Sequence, residues 1–174
     1  MRGIMLAKEI LNMNRLSNLI SSGNNAKNVS KLQRKLRVLF IDDDLEMCEV
    51  ISDCLEYTYN CRIDIASDPF ESMLAITEKF YDLIILDWNM AALNGGQTLA
   101  ESEKGLYFEP NIPSQWDRQR VPVVVFSSNE PDKCRFEGTR HFESVGYISK
   151  CQPLNQIVES FGDYFKTRTS LQAV

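Results

Sequence analysis

Residues 37–44 read Arg37-Val-Leu-Phe-Ile-Asp-Asp-Asp44, an apolar run without alternation that is closed abruptly by three carboxylates. A run of this kind suits a strand buried on both faces, as in a parallel sheet. Behind it, Leu45, Cys48, Val50, Ile51 and Leu55 fall at helical spacing, and Asp44 is a residue type that caps helices. The alternation then repeats. Cys61–Ala66 carries Ile63 and Ile65 as a strand, Asp68-Pro69 opens a helix bearing Phe70, Met73, Leu74 and Ile76, and Leu83–Leu86 is the next apolar run. Strand, helix, strand is the signature of a βαβ unit.

Further along, the turn-rich stretch 87–96 leads into a helix from Gln97 to the neighbourhood of Lys104, and Val121–Phe126 reads as a strand with Pro122 at its start. A helix over Lys133–Glu143, a short strand Gly146–Ser149 and an amphipathic helix from Pro153 to Phe165 complete five βα units. Such alternation implies an α/β fold, a parallel sheet covered by helices on both faces. His141 is expected on the surface of the helix that contains it. The connection Glu103–Arg120 is long and holds Leu106, Tyr107, Phe108, Pro110, Pro113 and Trp116. It is expected to be an ordered, aromatic-anchored loop at the end of the sheet opposite Asp87.

A chain of 174 residues with 44% hydrophobic and 25% charged residues has room for one core-bearing domain and an extension. A net charge of -5 and a pI near 5.0 give no broad basic surface, so direct nucleic-acid binding is not expected. The five cysteines lack CxxC spacing and only one histidine accompanies them, which disfavours a zinc site or a disulfide framework and fits reduced thiols in a cytoplasmic setting. Charged and polar residues interrupt the first segment too early for a signal peptide or a membrane span.

In an open parallel sheet, function gathers at the carboxyl ends of the strands. Those ends carry Asp42 and Asp43 after the first strand, Asp87 after the third, Ser127 after the fourth and Lys150 after the fifth. Three converging carboxylates repel unless a cation or protons offset the charge, and all-oxygen ligands suit a hard divalent ion such as Mg²⁺. An aspartate can attack phosphorus while a metal and a lysine neutralise the transferring group and a hydroxyl donates to it. The chemistry this set favours is phosphoryl transfer to a carboxylate.

The motifs IDDD (41–44), LIILDWNM (83–90), VVVFSS (123–128) and GYISK (146–150), in this order with βα units between them, resemble the receiver domain of two-component response regulators. The resemblance covers residues 36–168, leaving 1–35 as an N-terminal helical extension with linker and 169–174 as a C-terminal tail. It implies a flavodoxin-like (βα)5 doubly wound parallel sheet of order 2-1-3-4-5. It also implies Asp87 as phosphoacceptor, with Mg²⁺, or Mn²⁺ in its place, held by Asp43, Asp87 and the backbone carbonyl of Asn89, and by Asp42 through water. Ser127 would meet the phosphoryl group, Lys150 would pair with acceptor and phosphate, and Tyr147 would be the switch aromatic that moves with Ser127. The family's phosphoryl lifetime depends partly on the positions held here by Asn89 and Asn129. A sensor histidine kinase or phosphotransfer protein would supply the phosphoryl group. With no output domain expected after the fifth helix, a downstream protein target would read the state.

Plainer readings exist for each residue. Asp42–Asp44 could be only a helix cap, Ser127 and Ser128 turn residues with Ser or Asn capping a helix begun by Pro131, and Tyr147 a half-buried edge aromatic. Two departures from the family pattern stand out: Cys151 follows Lys150 where a cis proline is usual, for which a trans bond is expected, and Ala91 replaces a proline after Asp87. The competing functions are a pseudo-receiver that only binds partners and a Mg²⁺-dependent aspartyl phosphatase, against which Asn89 stands where such enzymes carry a second aspartate. A receiver of this kind would be no enzyme toward outside substrates. Leu6, Ile10, Met13, Leu16 or Ser17, and Ile20 form a helical stripe before the linker from Ser21; packing on the receiver, a dimer contact, a partner groove or a membrane surface would each give it a home.

Overall fold

The computed structural model describes residues 34–108, 113–117 and 119–171; the stripe between Leu6 and Ile20 lies outside them. Five strands, β1 (Leu36–Ile41), β2 (Cys61–Ala66), β3 (Leu83–Asp87), β4 (Val121–Ser127) and β5 (Phe142–Ser149), form one parallel sheet in the expected order β2-β1-β3-β4-β5. Four helices accompany them among the described residues: α1 (Leu45–Thr58), α2 (Pro69–Glu78), α3 (Gly95–Phe108) and α4 (Leu154–Leu171).

The helix starts follow from the residues that begin them. Asp44 Oδ1 accepts from the Met47 amide at 3.0 Å and Asp68 Oδ1 from the Glu71 amide at 2.8 Å, so both aspartates cap a first turn, the second with Pro69 at its first helical position. One sheet face carries Phe40 and Phe126, whose ring centroids are 5.8 Å apart, and Phe126 meets Phe161 of α4 at 5.9 Å. Tyr59, just after α1, stacks on Phe165 at 4.7 Å and donates its hydroxyl to the Val158 carbonyl at 2.9 Å, which ties α1 to α4. The other face buries Leu39, Ile41, Ile84, Leu86, Val123 and Val125 against Ile76 of α2 and Leu99 and Leu106 of α3. The five cysteines are free thiols, and Cys151 alone among them is exposed.

Three expectations are corrected. The helix placed over Lys133–Glu143 is absent: a 3-10 turn, Pro131–Lys133, is followed by extended chain and by a β5 that starts at Phe142 rather than Gly146. Cys134 and Phe136 both bury their side chains on one sheet face. Residues two apart on a helix point about 200° apart, so only an extended chain can seat both. Gly138 takes φ 85°, in the left-handed region, and Arg120 clamps the bend by donating to the carbonyls of Thr139 and Phe142 at 2.6 and 2.7 Å. Without that helix, Pro131 has no helix for Ser or Asn to cap; Glu130 precedes the turn without a side-chain capping bond.

His141 is not a surface helix residue but is 7% exposed, with Nδ1 2.9 Å from Glu103 Oε1. The same oxygen accepts from the His141 amide and the Thr139 hydroxyl, each at 2.8 Å, so one carboxylate organises the start of β5. Helix α3, third, runs to Phe108 instead of ending near Lys104, because buried Leu106 continues its apolar face. Of the connection expected to be an aromatic-anchored loop, residues 109–112 and 118 lie outside the described residues and 103–108 are helical, but Trp116 is buried within what is described. Its ring lies edge-on to Phe80 at 5.0 Å and to Phe142 at 5.6 Å, beside the starting end of β5 and away from Asp87.

Candidate functional site

The carboxyl ends of β1, β3, β4 and β5 bring together the residues singled out in the sequence. Asp42 is fully buried, Asp87 and Ser127 are buried, and Asp43 faces solvent. Lys150 follows β5 and is fixed by its amide, which donates to the Ser127 carbonyl at 2.9 Å. Its ammonium lies 2.7 Å from Asp42 Oδ2 and 3.2 Å from Asp87 Oδ1. The peptide bond into Cys151 is trans, as expected, and the lysine still reaches both carboxylates. The Cys151 amide closes the loop on Ser149 Oγ at 3.2 Å.

Burial pushes the Asp42 carboxyl above its ordinary value, with Lys150 and the Asp44 amide working against the rise. For Lys150, burial pulls the ammonium down, but Asp42 and Asp87 more than offset it and hold the group above its ordinary value.

Asp42, Asp43 and Asp87 each offer an oxygen within 4.8 Å of the others. The donor set is all oxygen and suits a hard cation. Asp42 has both oxygens engaged, one by the Asp44 amide at 3.1 Å and one by Lys150 at 2.7 Å. Asp43 and Asp87 each keep one oxygen without a partner among the described residues, since Asp43 Oδ2 accepts from the Ala91 amide at 3.0 Å and Asp87 Oδ1 meets Lys150. The residues present fit a divalent ion, with Asp43 and Asp87 better placed as direct ligands than Asp42.

The turn after Asp87 is held shut from both sides. The Gly95 amide donates to the Trp88 carbonyl at 3.1 Å, and Asn94 and Gln97 cap one another at 2.9 and 3.1 Å. A Cβ on Gly95 would run into the Asp87 carbonyl oxygen and Leu86, so only glycine lets α3 start this close to the end of β3. Asn89 turns its side chain across the pocket: Nδ2 points at Ser127 Oγ at 3.4 Å, and Oδ1 accepts from Asn129 Nδ2 at 2.8 Å. The Asn129 amide donates to Ser127 Oγ at 3.2 Å. In both bonds Ser127 is the acceptor, which leaves its own O–H for another oxygen. Tyr147 is half-buried, and its hydroxyl lies against the carbonyls of Ser127, at 3.1 Å, and Asn129.

The sequence pointed to every carboxylate, the hydroxyl and the amine, but not to the Ala91 amide, nor to the contact between the Asn89 and Asn129 side chains. A main-chain donor leaves no trace in residue identity, and Asn129 is an ordinary turn residue by composition.

The family model described as the response regulator receiver domain matches residues 38–161. Over 76 residues, 44% of this chain, the sequence is 30% identical to the transcriptional regulatory protein ZraR of Klebsiella oxytoca, and the match spans 16% of that protein. It is 35% identical over 68 residues, 39% of this chain, to the transcriptional regulatory protein CpxR homolog of Haemophilus influenzae, spanning 29% of it. The chain thus matches well under half the length of these relatives. Among solved structures, a CheY-like response regulator receiver domain protein from Methanospirillum hungatei superposes with a TM-score of 0.57 at 18% identity, covering 78% of this chain and 98% of that one. That likeness shows the fold.

Proposed function

The chain belongs to the response regulator receiver domain family, a membership that places it in two-component signalling, and we propose that it is a phosphorylation switch with Asp87 as the phosphoacceptor. The observation that supports this best is the Lys150 ammonium set between Asp42 and Asp87 at 2.7 and 3.2 Å, beside a Ser127 Oγ that accepts from the Asn129 amide at 3.2 Å. A carboxylate oxygen of Asp87 attacks the phosphorus of a phosphohistidine donor. The P–N bond breaks as the acyl-phosphate P–O bond forms, and the departing imidazole keeps the electron pair and takes a proton from solvent. Lys150 neutralises charge on the acceptor and then on the phosphoryl group, and Ser127 donates its proton to a phosphoryl oxygen.

Asp43, Asp87 and the Asn89 carbonyl, with Asp42 behind them, would hold Mg²⁺ or Mn²⁺, which when bound supplies Lewis-acid neutralisation of the phosphoryl oxygens. Ser127 and Tyr147 form the switch: Ser127 drawn toward the phosphoryl group strains the contact of the Tyr147 hydroxyl with the Ser127 and Asn129 carbonyls, and the altered surface is read by a downstream protein. The upstream partner is a sensor histidine kinase or phosphotransfer protein, and the chain catalyses only its own phosphorylation and dephosphorylation. Beryllium fluoride, a tetrahedral phosphoryl mimic, tests the pocket. With Mg²⁺ it should bind once per chain and shift the Ser127, Tyr147 and Lys150 resonances in NMR spectra; spectra unchanged by the mimic would contradict the proposal.

A further inference from the structure

We infer that Ala91 is a positioning residue for the cation site, acting through its backbone N–H, which holds the Asp43 carboxylate with one oxygen left for the ion. The inference rests on the reading of Asp42, Asp43 and Asp87 as that site. Asp42 and Asp87 are buried and restrained by Lys150. Asp43 is exposed and has no ionic partner among the described residues, so its side chain would otherwise rotate freely in water. What restrains it is the Ala91 amide, 3.0 Å from Oδ2, on the loop that follows Asp87. One hydrogen bond therefore spans the β1–α1 and β3–α3 loops and brings together the two carboxylates that keep a free oxygen. A main-chain donor cannot swing away or lose its proton, which makes it a stiff outer-shell support. It also occupies only one of the two carboxylate oxygens, Oδ2. Ligands that lose such a partner bind their ion about tenfold more weakly or worse, since each must then be ordered as the ion arrives.

Proline removes this N–H and nothing else from the hydrogen-bond inventory of residue 91. The experiment is a Mg²⁺ titration of the full chain followed by tryptophan fluorescence, with Ala91→Pro and Ala91→Ser beside the wild type. The expected result is one ion per chain, about tenfold weaker binding for Ala91→Pro, wild-type binding for Ala91→Ser, and cooperative thermal unfolding of all three in chelator. Equal or tighter binding by a folded Ala91→Pro would overturn the inference. Should that variant not fold, amide hydrogen exchange in the wild type decides: the Ala91 amide should be protected without Mg²⁺ and more so with it, and loss of protection on adding Mg²⁺ would overturn the inference while leaving the cation site intact. A wild type that takes up no Mg²⁺ would instead overturn the reading of the cation site, and this inference with it.

Discussion

The Lys150 ammonium bridges two carboxylates delivered by different strands, lying 2.7 Å from Asp42 Oδ2 and 3.2 Å from Asp87 Oδ1. Removing one member of a buried ionic set leaves the rest uncompensated, at a cost of about 3 kcal/mol. Lys150→Met should lower the unfolding free energy by about that amount in chelator. Mg²⁺ should restore more stability to the variant than to the wild type, because a second cation then replaces the first. Urea unfolding with and without Mg²⁺ measures both, and an equal Mg²⁺ response would show that the ammonium and the ion do not share these carboxylates.

Glu103 Oε1 accepts from the His141 amide, His141 Nδ1 and the Thr139 hydroxyl at 2.8 to 2.9 Å. Truncating it strands buried donors, each costing about 1–3 kcal/mol. Glu103→Ala should therefore cost about 2–4 kcal/mol in urea unfolding with an unchanged denaturant slope. Phosphoacceptor chemistry at the other end of the sheet should be untouched.

Gly95→Ala places a methyl group against the backbone carbonyl oxygen of Asp87 and the Leu86 side chain, so that one of them must shift. Overpacking of this kind costs about 2 kcal/mol. Here the displaced backbone is that of the proposed acceptor, so a lower thermal midpoint should come with slower phosphorylation. A variant that is destabilised yet phosphorylated at the wild-type rate would separate the two effects.

Asp64 of β2 accepts from Lys79 Nζ at 2.9 Å and from the Tyr81 hydroxyl at 3.0 Å. Burial alone would raise its carboxyl, but these two donors hold it below the ordinary 3.8. A depressed carboxyl contributes stability that is present above its unfolded value and lost as pH falls through its folded value. The advantage of the wild type over Asp64→Asn should thus be constant near neutrality and shrink below about pH 3.8. Unfolding free energies across the acid range check this; a difference that grows on acidification would reverse the sign and refute it.

The strands were legible because β3, β4 and all of β1 but Arg37 are buried and write themselves as apolar runs. Asp44 and Asp68 marked their helices through capping chemistry that depends on residue type alone. The stretch from Cys134 to His141 carries no helix, because Cys134 and Phe136 obey the period of extended chain and Gly138 marks the bend. His141 was misplaced with it, since its partner Glu103 is 38 residues away and no local pattern announces such a pair. The pocket was readable to the level of residue type. Which oxygen each carboxylate keeps free, and which amide holds Asp43, became visible only with the loops in place.

The account turns on Asp87 accepting a phosphoryl group. Intact-mass measurement after incubation with a small-molecule phosphodonor and Mg²⁺ tests this directly, with Asp87→Asn alongside. One phosphoryl adduct is expected on the wild type, lost in chelator and absent from the variant; a folded, Mg²⁺-loaded wild type without an adduct, or an adduct that persists in Asp87→Asn, would rule out Asp87 as the phosphoacceptor.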